Sequence, residues 1–250
     1  MSYLSRFRTA RSCSTTSVLF PALTLLLAVL MTACGSGNLS APSGVPVADP
    51  EAFVASLRAA TLPGAPRQIT FGWRLDEQGS RVSGRGVVRA EAPERLRLDL
   101  FGERGDTYLT AALVGDEYRL PPEAVNAVAL PSPSLFWAAL GVLRLPAGAT
   151  LLSATTTENT ADLRYQSTDG QIYVWSFTRS SAGTWILTRL ERAGPRGVIE
   201  TVSVDHSAES SALTRTSYRD WTAFRELILT IEEARDANSF PPDIWRPDAR

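Results

Sequence analysis

From residue 67 onward the chain is governed by a period of two. Ile69, Phe71, Trp73 and Leu75 are separated by Thr70, Gly72 and Arg74, the alternation of a strand with one buried face. Residues 81–91 predict a second strand, with Glu77-Gln78-Gly79-Ser80 as the turn before it. Arg95-Leu96-Arg97-Leu98-Asp99-Leu100 alternates strictly, and Gly102 to Gly105 turns into a strand over 108–114, which Gly115-Asp116 turns into another over 118–120. After a break the pattern resumes over 150–157, 162–166, 171–178, 184–191, 197–204 and 213–218, with Asn159, Asp169-Gly170, Ala182-Gly183 and Gly194-Pro195 as separators. Such a succession predicts a meander of antiparallel strands with one wet face and one apolar face.

Two short segments carry a helical period instead. Asp49 is suited to cap a helix and Pro50 to begin it, Phe53, Val54, Leu57 and Ala60 share one face, and Pro63-Gly64 ends it. Ser132 and Pro133 start a second helix through Leu135-Phe136-Trp137-Ala138-Ala139-Leu140, which Gly141 stops. Residues 220–235 fit both periods: Trp221, Phe224, Leu227, Ile228, Ile231 and Ala234 fall on a helical face capped by Asp220, whereas Leu227, Leu229 and Ile231 fit a strand. The local pattern favours the helix. The expected class is α+β, mostly antiparallel β: some ten or eleven strands in one large curved or barrel-like sheet, with two short helices. There is no internal repeat, and 49–250 reads as one domain.

The first 33 residues are of another kind. Arg6, Arg8 and Arg11, with no acidic residue, precede an apolar run over 18–30 that closes in Met31-Thr32-Ala33-Cys34. A positive start, an apolar middle and small residues at a cut site make a secretory signal over 1–33. The last four residues resemble the lipobox of bacterial lipoproteins, with Met31 where leucine is usual. That resemblance implies a Cys34 joined to diacylglycerol and acylated at its new N-terminus, and so a membrane partner. A plain cleaved signal is one alternative, and a retained span is another. The run contains Pro21 and is shorter than the roughly 18–20 apolar residues a span needs. Residues 34–48 are the lipidated cysteine and an uncharged, proline- and small-residue-rich tether, whose 14 residues after the cysteine reach at most roughly 50 Å. Gly35 is not the aspartate that retains many lipoproteins in the inner membrane, which implies a periplasm-facing anchor in the outer membrane.

Composition narrows the chemistry. The 25 basic residues are all arginine and are set against 26 acidic ones; without the signal 22 remain against 26, which is no footprint for nucleic acid. Cys13 leaves with the signal, so no disulfide joins the mature chain. The sole histidine stands in Asp205-His206-Ser207, and neighbours on a strand point to opposite faces, so a solvated strand-end histidine is expected rather than a relay. One histidine and one lipidated thiol make no metal cluster, and no phosphate-cradling glycine loop with lysine occurs. The expectation is a protein without enzymatic activity, catalytic residues, metal or cofactor.

Ser83-Gly84-Arg85-Gly86, followed by Pro93-Glu94-Arg95-Leu96-Arg97-Leu98-Asp99-Leu100-Phe101-Gly102, resembles the early strands of LolA/LolB-like proteins. The Gly115-Asp116 turn, the helix after the proline cluster and Leu140-Gly141-Val142-Leu143-Arg144-Leu145-Pro146 continue the resemblance, which covers about 67–220. It implies an unclosed antiparallel half-barrel whose concave face is covered by short helices and whose hollow takes lipid or lipoprotein acyl chains, in transport or sensing at the cell envelope. It also implies a strand over 226–233, against the local helical pattern. A half-barrel leaves inward apolar side chains without partners, and those expected to line the hollow are Phe71, Trp73, Leu96, Leu98, Leu100, Leu109, Leu113, Phe136, Trp137 and Leu140. The membrane-anchored receptor of that family pushes acyl chains into the bilayer with an apolar residue in the loop after its third strand; here that loop, Phe101 to Asp106, carries Glu103, Arg104 and Asp106. The alternative reading is a structural or assembly lipoprotein with a filled core that docks a protein partner of the envelope.

Overall fold

The computed structural model describes residue 39, residues 41–42, 44–125 and 130–247. The signal over 1–33, Cys34 and the first part of the tether lie outside the described residues. The described residues carry β1 (Val45–Pro46), β2 (Arg67–Glu77), β3 (Ser80–Glu91), β4 (Arg95–Gly102), β5 (Thr107–Val114), β6 (Glu117–Arg119), β7 (Thr150–Thr156), β8 (Thr160–Gln166), β9 (Ile172–Arg179), β10 (Trp185–Gly194), β11 (Gly197–His206), β12 (Leu213–Asp220) and β13 (Arg225–Asp236). The helices are α1 (Pro50–Thr61) and α2 (Pro133–Ala138).

Among the described residues the strands form one antiparallel sheet in the order β1-β7-β8-β9-β10-β11-β12-β13-β2-β3-β4-β5-β6, with β1 and β6 as open edges. The expected unclosed sheet with short helices is therefore what the chain forms, and the strands expected between 69 and 218 lie within a few residues of the observed ones. The helical reading of 220–235 is overturned. β13 lies between β12 and β2, pairing Leu227 with Leu75, Leu229 with Trp73 and Ile231 with Phe71. β12 pairs with 225–230 and β2 with nearly all of 225–236, and this ladder outweighs the local helical period.

The tether is shorter than expected. Val45 and Pro46 pair with Thr156 and Thr155, and the Val47 N–H donates to the Ala154 carbonyl at 3.0 Å, so the chain is held to the sheet before residue 48. The wet outer face also fails on β4, where Arg97 and Asp99 are buried. Asp99 accepts from Arg97 Nη2 at 2.8 Å, Arg89 Nη1 at 3.0 Å and Thr110 Oγ1 at 3.1 Å. The C-terminal segment covers this network: Arg97 Nη1 donates to the Ile244 carbonyl at 2.8 Å, and the buried Trp245 ring lies under the Arg95 guanidinium at 5.3 Å. A buried charge needs such a full set of partners.

The inner face holds two apolar clusters. One unites β7–β12 with α1: Leu57, Leu163, Trp175, Phe177, Leu187, Leu190 and Val202 are all buried to within 1%. Trp175 is stacked on Tyr173 (5.6 Å) and meets Tyr165 edge-on (5.7 Å), and Phe53 of α1 meets Trp185 edge-on at 6.2 Å. α1 is held in place by its cap, Asp49 Oδ1 accepting the Ala52 N–H at 3.1 Å. The other cluster gathers β2–β5 and β13. α2 joins the two, with Leu135 and Ala138 in the first and Trp137 in the second. Gly141, at φ +75°, ends α2 in the left-handed conformation that a C-terminal stop requires.

Candidate functional site

A cavity of about 160 Å³ lies between α2 and strands β2, β4, β5, β12 and β13. Six of the ten expected residues line it: Trp73, Leu98, Leu100, Leu109, Phe136 and Leu140. The other four, Phe71, Leu96, Leu113 and Trp137, are packed in the core, none more than 1% exposed. Phe71 shows why. It stands opposite Gly86, and a Cβ there would lie 2.5 Å from its ring, so the phenyl group lies flat on the β3 backbone instead of reaching into the hollow. In the Ser83-Gly84-Arg85-Gly86 stretch the two glycines thus serve packing, Gly84 against Phe101 and Gly86 against Phe71.

Alternation failed to pick out several further walls. Leu75, Val88, Leu227 and Leu229 carry the same inward alternation as the residues that were found, while Leu135, Ala139 and Leu130 come from α2 and the segment before it. Tyr108, 44% exposed, stands at the opening and packs on Trp73 with ring centres 4.9 Å apart. The Trp73 indole N–H is already engaged, donating to the carbonyls of Arg85 (3.0 Å) and Phe101 (3.1 Å), so only the apolar part of the ring is offered to an occupant.

The polar groups of the hollow are likewise satisfied from within. Thr216 Oγ1 donates to the Ala139 carbonyl at 2.7 Å. Tyr218 donates to Glu200 Oε1 at 2.6 Å; burial pushes its phenol well above the usual range, and the Glu200 carboxylate adds to that, so it stays protonated. Glu200 is in turn paired with Arg192. At the rim Arg225 Nε donates to Glu77 Oε1 at 2.9 Å, and a second guanidinium nitrogen bonds the same oxygen. These walls therefore suit a hydrocarbon group, and a charged head would find partners only at the rim. A 150 Å³ apolar cavity stays dry and accepts a benzene-sized guest, so the present hollow has room for roughly six carbons.

His206 is not the solvated strand-end residue expected. It is half-buried at the end of β11, with Nδ1 buried and without a partner and Nε2 beside Gly141. Burial holds its pKa below the ordinary value of 6.5, Asp205 opposing in part. Ser207 Oγ accepts the backbone N–H groups of Glu209 (3.3 Å) and Ser210 (3.4 Å). The loop from Phe101 to Asp106 has a charged tip, as expected, and Ser83 Oγ donates to Glu103 at 2.6 Å.

Among solved structures, the chain is similar to a LolA superfamily protein from Nitrosomonas europaea, at 13% identity and a TM-score of 0.51, covering 81% of this chain and 98% of that one. A domain described as a candidate outer membrane lipoprotein-sorting protein from Vibrio parahaemolyticus matches at 8% identity and a TM-score of 0.48, over 77% of this chain and 94% of that one. A DUF1329 family protein from Desulfovibrio piger matches at 7% identity and a TM-score of 0.45, over 79% and 96%. No protein-family model and no curated protein matches the sequence. The fold is the one that the LolA superfamily protein has: a long open antiparallel sheet with short helices on its inner face.

Proposed function

We propose that this chain is a non-enzymatic envelope protein whose hollow takes one end of a lipid or lipoprotein acyl chain, in lipoprotein or lipid transport or sensing. The observation that carries this reading is the cavity between α2 and β2, β4, β5, β12 and β13, apolar on most of its walls, with Thr216 and Tyr218 bonded within the fold. Each methylene transferred from water to such a place contributes about 0.8 kcal/mol, so about six contribute near 5 kcal/mol before the cost of immobilisation. Further chain length would have to lie along the rim past Tyr108 or displace α2. The lipobox-like Met31-Thr32-Ala33-Cys34 supports a lipid anchor, and Gly35 an outer-membrane address facing the periplasm. With two or more acyl chains on Cys34 the attachment would be lasting.

The test uses the chain from Gly35 onward, which retains β1 to β13, both clusters and the C-terminal cover. Saturable binding of a fluorescent fatty-acyl probe with a low-micromolar constant, displaced by unlabelled fatty acid, is the expected result. Absence of saturable binding overturns the reading. A second reading is favoured by one observation, the small volume of the hollow with four of the ten expected lining residues packed away: an assembly lipoprotein that docks a protein partner. It would be supported by a stoichiometric partner together with no acyl binding.

A further inference from the structure

The turn between β12 and β13 carries two aromatic rings that the fold covers only in part, the Arg219 guanidinium lying 4.8 Å from the centre of the Trp221 ring. Phe224 is 79% exposed and sits at φ +52°, in the left-handed region that a bulky residue rarely enters. Trp221, three residues earlier, is 47% exposed. The turn itself is firmly built. Asp220 Oδ1 accepts from the Thr222 N–H (2.8 Å), the Thr222 hydroxyl (2.7 Å) and the Ala223 N–H (2.9 Å). The Trp221 N–H donates to the Ile199 carbonyl at 2.9 Å, and its indole N–H to Thr201 Oγ1 at 3.2 Å. Thus a rigid support holds a phenyl ring out in water, at a backbone conformation that glycine or asparagine would adopt with less strain. The Phe224 backbone is held by the Gln78 N–H, which donates to its carbonyl at 3.4 Å, while the ring itself stays in water.

The surroundings indicate what would offset this exposure. Asp76 pairs with Arg74 (2.9 Å) and Arg81 (2.6 Å), Glu226 with Arg219 (2.6 Å), and Glu77 with Arg225. With Asp220 held in the turn, four arginines face four carboxylates, so the tip presents two rings amid a neutral collar. Two rings are far too small for a stable protein interface, which takes about 800 Å² from each partner. Tryptophan and exposed apolar rings on a polar collar are suited to the boundary between lipid heads and acyl chains. Glu77 and Arg225 also belong both to the wall of the hollow and to the cleft under Phe224, so a surface that received the tip would lie against the opening of the hollow.

We propose that the β12–β13 turn is a membrane-inserting tip, in which Phe224 and Trp221 enter the interfacial layer of a zwitterionic bilayer and seat the mouth of the hollow upon it. This goes beyond the acyl-binding reading and does not depend on it. The probe is a vesicle of phosphatidylcholine alone, sedimented with the chain from Gly35 onward. Wild type is expected to partition onto such vesicles, with binding changed less than about 2-fold as salt rises from about 0.05 to about 0.5 M, because no net charge drives it. Phe224→Gly, which keeps the positive φ, and Phe224→Gly with Trp221→Ser are expected to weaken partitioning at least ~10-fold. In Phe224→Gly the melting temperature should be unchanged or raised, and in both variants binding of a soluble acyl probe should be unchanged. Brominated lipid should quench part of the wild-type tryptophan emission and less of that of Trp221→Phe. No binding to neutral vesicles, binding that needs anionic lipid and is released by salt, or variants that partition like wild type would each overturn the proposal. Loss of acyl-probe binding in wild type with vesicle binding intact would sink the acyl reading and leave the tip standing.

Discussion

The two halves of the sheet have the same strand pattern and opposite interiors. Over β7–β12, α1 lies on the inner face and the space is filled: Trp175, Phe177, Leu163 and Leu187 are no more than 1% exposed, and the rings of Tyr165 and Tyr173 pack against Trp175. Over β2–β5 and β13 the cover is the single short α2, whose Trp137 packs among them while about 160 Å³ beside Leu135 and Phe136 stays unfilled. A twelve-residue amphipathic helix can fill a concave sheet; a six-residue helix can only cap one. The difference teaches that the hollow results from unequal cover, since strand alternation is equally good on both sides.

The contrast can be broken first by truncation. Trp175→Ala in the filled half is expected to lose about 3–5 kcal/mol in denaturant unfolding, whereas Leu109→Ala, whose side chain already borders empty space, should lose about 2 kcal/mol. Equal losses would mean that the two interiors are packed alike. Enlargement sharpens it in the other direction. Ala161, fully buried opposite Phe177, should not accept leucine, and Ala161→Leu is expected to cost about 1–3 kcal/mol. Ala139→Leu adds the same atoms at the wall of the hollow and should leave stability within about 0.5 kcal/mol of wild type.

The smallest effect lies at the seam, where His206 meets the end of α2. Its folded pKa is below 6.5, so below that pH the unfolded chain binds more protons than the folded one. Its neutral form thus contributes stability that is present above pH 6.5 and lost as pH falls from there through the folded pKa. His206→Asn should flatten the decline measured between pH 7 and about 5.5, above the main carboxylate range. An unaltered slope would remove the histidine from the account.

Most of the strands and both helices were legible in the sequence, because alternation such as Leu96-Leu98-Leu100 reports which face of a strand is buried, whereas the open edge of the sheet was implied only by the resemblance to LolA/LolB-like proteins. What alternation does not report is depth. Phe71 and Trp73 share a face of β2, yet Gly86 lets the first fold down onto the sheet while the second borders the hollow. Leu75, Val88, Leu227 and Leu229 could have been named on the same grounds as Leu98; the walls Thr216 and Tyr218 depend on which strands become neighbours. The C-terminal cover was not legible, since Ile244 and Trp245 stand in a proline-flanked stretch without any period, and its function is visible only once Arg97 and Asp99 are found beneath it. The segment 220–235 fits both periods, and the strand that the resemblance implies over 226–233 is the one formed, between β12 and β2.

A single pair of isotherms goes to the heart of the matter: fluorescent acyl probe titrated into wild type and into Ala139→Leu, both beginning at Gly35. Filling the hollow should weaken binding at least ~10-fold while the melting temperature holds, since a leucine occupies the space of several methylenes. Equal affinity in the two proteins would place the probe elsewhere and contradict the hollow as the binding site.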